Sequence, residues 1–105
     1  MGNHMERLIV EVDPDLRELI PDFLRRKRAD AIAIQIALDK GDFAVVAALG
    51  HKLKGEGGGF GFDVITDIGA GLEGTAKNRD GDSAHKLAME LSYYLENVEV
   101  VSAPE

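Results

Sequence analysis

Apolar residues recur three and four places apart in successive segments of this chain, and glycine or capping residues end each segment, which confines it to helices packed on one another. Asp13-Pro14 opens a helix of about two turns through Ile20, with an acceptor side chain at the cap and a proline where an N–H would be unpaired anyway. Pro21 either kinks that helix or opens the next. The pattern from Asp22 to Lys40 is helical and closes at Gly41, which suits a left-handed C-terminal position. Asp42 caps a further helix from Phe43 to about Gly59 or Gly61, and Asp63 caps one whose stripe is Ile65, Ile68, Gly69, Leu72 and Ala76. The run from Lys77 to Asp82 ends it and supplies a new cap. Ala84, Leu87, Ala88, Leu91, Tyr94, Leu95 and Val98 then share one side of the last helix.

The fold class predicted is all-α, an up-and-down four-helix bundle with a short extra N-terminal helix, formed by residues 5–98 as one domain. Residues 1–4 read as a cloning remnant and residues 99–105 as a frayed tail. Ile32, Ile34 and Ile36 alternate like a strand, but alanine spacers and helix-forming flanks favour a helix that touches partners on more than one side. Arg25, Arg26, Lys27 and Arg28 are expected to form a solvated basic face.

A formal charge of −7 argues against a nucleic-acid partner, because such binding draws on lysine and arginine facing phosphates. With no cysteine there is no disulfide or thiolate chemistry. No apolar run approaches the roughly 20 residues that span a bilayer, and no secretory signal is visible, so no membrane partner and a cytoplasmic location are expected. A monomer is expected as well.

The stretch from Ala47 to Phe62 departs from ordinary bundle sequence. Five glycines between Gly55 and Gly61 each cost a helix about 0.5–1 kcal/mol relative to alanine. Val46, Leu49, Leu53, Gly57 and Phe60 fall on one apolar side, and His51 lies nearly opposite. The ring's helical neighbours are Ala47, Ala48, Lys54 and Gly55, with Gly58 two turns on. An exposed neutral imidazole is a competent nucleophile toward phosphorus, small neighbours give a second protein access to it, and Lys54 is placed to offset a phosphoryl group's charge. Lys52 is angled away and has a minor electrostatic role. Phe62 and Val45 are candidates for the apolar centre of a docking face.

His51-Lys52-Leu53-Lys54-Gly55, with Gly61 ten residues after the histidine and Leu72-Glu73 in the next helix, resembles the signature of the histidine-containing phosphotransfer (HPt) domain. That family folds as a helical bundle and relays phosphoryl groups between receiver-domain aspartates through its own histidine, in two-component signal transduction. The resemblance implies that His51 is the phosphoacceptor and becomes phosphohistidine, and that Lys54 stabilises the phosphate. Gly55 would clear space by the ring. It implies response-regulator receiver domains or a hybrid histidine kinase as partners, magnesium on the partner receiver and no cofactor of the chain's own; because the sequence shows no kinase-type nucleotide site, no autonomous kinase activity is expected. Glu56 departs from the family pattern, which has a small hydroxyl residue there, and is expected to affect partner choice more than chemistry.

Other chemistries are weaker. The glycines lack the dinucleotide spacing and no strand precedes them; Gly50 to Gly55 has the Walker A separation, but Glu56 stands where lysine is required. His51 and His85 are not at metal-ligand spacing, and His85 reads as a solvated residue. The alternative function is a non-catalytic helical adaptor that binds a receiver or other signalling protein without phosphate exchange; a plain structural bundle is a third.

Overall fold

In the computed structural model, which describes residues 8–102, the helices are α1 (Ile20–Asp39), α2 (Phe43–Gly59), α3 (Asp63–Lys77) and α4 (Gly81–Asn97). The expected cloning remnant and residues 103–105 lie outside the described residues. Helix accounts for 79% of the structure, so the chain is all-α in class.

The three helix-to-helix connections share one construction. After α1, the Gly41 N–H donates to the Leu38 carbonyl and the Asp42 N–H to the Ala37 carbonyl, with Gly41 at φ 69°. After α2, Gly61 (φ 87°) donates to Gly58 and Phe62 to Gly57; after α3, Arg79 (φ 55°) donates to Ala76 and Asp80 to Thr75. Each is a paired closure of orphan carbonyls around one left-handed residue. In each, the residue after the left-handed one is also the N-cap of the following helix, so the chain turns with no slack.

This moves one expected cap: Asp63 is the first residue of α3 and the cap is Phe62, whose side chain is fully buried instead of bonding the backbone. The cap expected within the run from Lys77 to Asp82 is Asp80, its carboxylate accepting from the Ser83 N–H at 3.2 Å. Pro21 opens α1. The short N-terminal helix is a 3-10 segment, Pro14–Leu19, begun by Asp13 accepting from the Asp15 N–H at 2.9 Å.

The chain ends also differ from expectation. Ile9–Val12 forms strand β1, which pairs in parallel with β2, Glu99–Ser102, in the register Ile9 to Glu99. Those four residues of the expected frayed tail are therefore ordered by the opposite end of the chain. Val10 and Val12 point into the core, while Ile9 is exposed.

Phe23 and Ile34 of α1, Val46 and Leu53 of α2, Ile65 and Leu72 of α3, and Leu91 and Tyr94 of α4 fill the core. Helix α2 packs most extensively on α3; α1 meets α2 and α4, and α3 meets α4. On α1, only Ile34 of the three alternating isoleucines is buried, and Ile32 and Ile36 are exposed rather than packed on partners. The basic run is not one solvated face. Lys27 is fully buried, with its ammonium 2.9 Å from Asp30 Oδ2, in contact with Glu56 Oε1, and 5.6 Å from the centre of the Phe23 ring.

Candidate functional site

Glycines set how close α2 and α3 can approach, and that approach builds the site. A Cβ on Gly50 would lie 2.7 Å from the Glu73 backbone N, and one on Gly69 would lie 2.5 Å from the Lys54 backbone N. Real Cβ atoms do not approach backbone so closely, so Gly50 and Gly69 are required where the helices cross. Gly57 meets Thr66 in the same way, one crossing further along. Residue 50 being bare, the next residue, His51, is carried to within bonding distance of Glu73: Nδ1 is 3.1 Å from Glu73 Oε2.

The His51 side chain is 72% exposed, as its place on the wheel predicts, whereas Glu73 is 16% exposed and tucked between the helices. Two ammonium groups share that carboxylate. Lys77, one turn along α3, donates to Oε2 at 3.2 Å, and Lys54 stands 3.9 Å from Oε1. The hydrogen bond from Lys77 is the main cause that holds the Glu73 carboxyl below the usual range, against partial burial; the Lys77 charge and His51 add to it. Near neutral pH Glu73 is thus an anion and can only accept. In the uncharged form of the ring, the hydrogen on the shared bond therefore sits on Nδ1 and the lone pair on Nε2.

Beside the ring lies an open hollow of about 420 Å³ lined by Ala47, Ala48, His51, Glu73 and Lys77. No protein-family model, curated protein or solved structure matches this chain. What the hollow can do is set by its geometry: an oriented nucleophilic nitrogen at a surface cleared of large side chains, with an anion behind the ring and cations beside it.

The residues singled out from sequence are not all in one place. Ala47, Ala48 and His51 come together in the hollow, and Lys54 is next to it through Glu73. Gly55 and Gly58 are exposed on α2; a Cβ at Gly55 would meet nothing within 4 Å, and one at Gly58 would only touch Thr66 Oγ1 at 3.6 Å. Phe62 is not on a docking face. It is fully buried and stacks on Phe23 with centroids 5.3 Å apart, because it caps α3 from the core side. Val45 is 41% exposed. Lys52 turns away to Asp30 at 3.4 Å, and His85 is exposed.

Glu56 is held internally by the buried Lys27, with Arg26 4.0 Å from its other oxygen, so its place is explained by packing against α1. Glu73 and Lys77 had no assigned chemical role from sequence. Their i, i+4 spacing was a visible signal, but nothing local said that this pair would face His51. Among the described residues no group of three or more histidine, aspartate or glutamate side chains could hold a metal ion, and no helix is long and apolar enough to cross a membrane.

Proposed function

We propose that this protein is a histidine phosphotransfer module of the HPt kind, relaying a phosphoryl group between receiver-domain aspartates through His51 in two-component signal transduction. The observation that carries this reading is the His51 ring itself: Nδ1 is engaged by Glu73 at 3.1 Å while the side chain is 72% exposed. A core histidine would be enclosed, whereas this one is open to a partner and oriented from behind by a partly buried carboxylate. The cyclic contact order of the helices and their three-residue connections support the up-and-down bundle that such modules adopt.

A receiver domain carrying an aspartyl phosphate docks over α2, where Ala47, Ala48, Gly55 and Gly58 leave room for it. The Nε2 lone pair forms the N–P bond as the P–O bond to the receiver's aspartate breaks, and that bond's electrons leave on the aspartate carboxylate. The ring keeps its Nδ1 proton and gains one positive charge, which the Glu73 anion offsets. Lys54 lies one helical turn from the ring and faces the incoming negative charge. The receiver holds magnesium and supplies charge stabilisation on its side. Reversal passes the group to the next aspartate. This chain is a phosphocarrier, and its work in the cytoplasm needs no nucleotide site.

Incubation with radiolabelled phosphoreceiver tests the reading. Acid-labile, base-stable label should appear on the wild-type protein and be absent from His51→Gln. Label that persists in the variant would remove His51 from its role, and tight receiver binding with no label would favour the adaptor.

A further inference from the structure

We infer that Lys77, on the neighbouring helix, is a phosphoryl-binding residue of this site, swinging from Glu73 onto the phosphoryl group when His51 carries it; this rests on the phosphocarrier reading above. Three observations point to Lys77. It lines the hollow beside the ring, as Lys54 does not. Its ammonium and the imidazole Nδ1 bind the same oxygen of Glu73, at 3.2 and 3.1 Å, so the cation stands on the ring's own flank before any phosphate arrives. Its side chain is 67% exposed, which leaves the ammonium free to move without unpacking the helix end.

The electrostatics favour such a cation, because a phosphoryl group on Nε2 brings nearly two negative charges to the ring and one ammonium offsets only part of them. Lys54 is 3.9 Å from the far oxygen of that carboxylate and 52% exposed, and it approaches from α2; Lys77 approaches from α3. Two ammonium groups from two helices can flank the three phosphoryl oxygens, whereas Lys54 alone reaches them from one side. In the resting state Glu73 holds Lys77 in readiness. After transfer the ring is itself cationic and holds Glu73 more strongly, so Lys77 can leave that carboxylate at little cost.

Phosphoramidate, a small P–N donor that needs no partner, provides the test: ammonia leaves as the Nε2–P bond forms. The rate of labelling and the lifetime of phosphohistidine are measured by phosphorus NMR for the wild type, Lys77→Ala and Lys77→Arg, and then for Lys77→Ala in a Glu73→Gln background. Loss of one charge-assisted contact should slow labelling or shorten the lifetime by about tenfold in Lys77→Ala, with recovery in Lys77→Arg. The loss should persist in the Glu73→Gln background, because contact with the phosphoryl group does not depend on neutralising Glu73. An effect that vanishes there, or no effect in Lys77→Ala while His51→Gln stays unlabelled, overturns the assignment of Lys77 and leaves the phosphocarrier reading standing. A wild-type protein labelled by neither phosphoramidate nor a phosphoreceiver overturns both. Unchanged thermal unfolding of Lys77→Ala separates these outcomes from loss of fold.

Discussion

At Glu73 one carboxylate meets an imidazole and two ammonium groups, and its protonation decides whether His51 is oriented. Because its folded-state pKa is depressed, chiefly by Lys77, folding favours the anion. The stability this contributes is present above the pKa of the unfolded chain and is lost as pH falls through the folded value. A carbon-13 titration of the Glu73 carboxyl should have its midpoint below the ordinary glutamate value of about 4.3, and Lys77→Ala should raise that midpoint. Glu73→Gln should remove this part of the acid sensitivity of unfolding. It should also slow His51 phosphorylation by about tenfold, since an amide cannot offset the charge that the ring acquires. A midpoint at or above the ordinary value would mean that the cations do not hold Glu73 in solution.

At the scale of elements, the glycines of α2 and α3 divide into two groups that composition does not separate. Gly50, Gly57 and Gly69 lie where backbones nearly touch, whereas Gly55 and Gly59 face open space. Gly69→Ala should therefore destabilise the fold by about 1–3 kcal/mol through overpacking and loosen the bond from His51 to Glu73. Gly55→Ala should instead stabilise it by about 0.5–1 kcal/mol through helix propensity. Urea unfolding measures both, and equal signs would contradict the crossing geometry. The odd place of glycine in these helices was legible in the chain, as was the outward direction of His51. Which glycines serve packing and which leave the surface bare was not, because a bare Cα carries no mark of its partner.

At the scale of the whole molecule, α1 is tied to the end of α2 by an ion pair laid over aromatic rings. Phe23 stacks on Phe60 with centroids 4.3 Å apart, and the Lys27 ammonium sits above Phe23 while bonding Asp30 and Glu56. Lys27→Ala should cost about 2–3 kcal/mol, less than the ~3–5 of a fully enclosed pair because the Glu56 side chain is 35% exposed. Thermal or urea unfolding reads this directly, and a neutral result would mean that Lys27 is solvated after all. The terminal strands are a second long-range tie, and they hold Val10 and Val12 of β1 in the core.

Helix content, the Gly41-Asp42 turn, the buried stripes of α3 and α4 and the exposed face of α2 were determined by the sequence itself, since each depends on residues three or four places apart or on one turn's own chemistry. The buried Lys27, the core position of Phe62, the β1–β2 pairing and the meeting of Glu73 and Lys77 with His51 were decided only by tertiary structure. Each needs a partner distant in the chain, and local spacing holds no record of which distant surface arrives, or how closely.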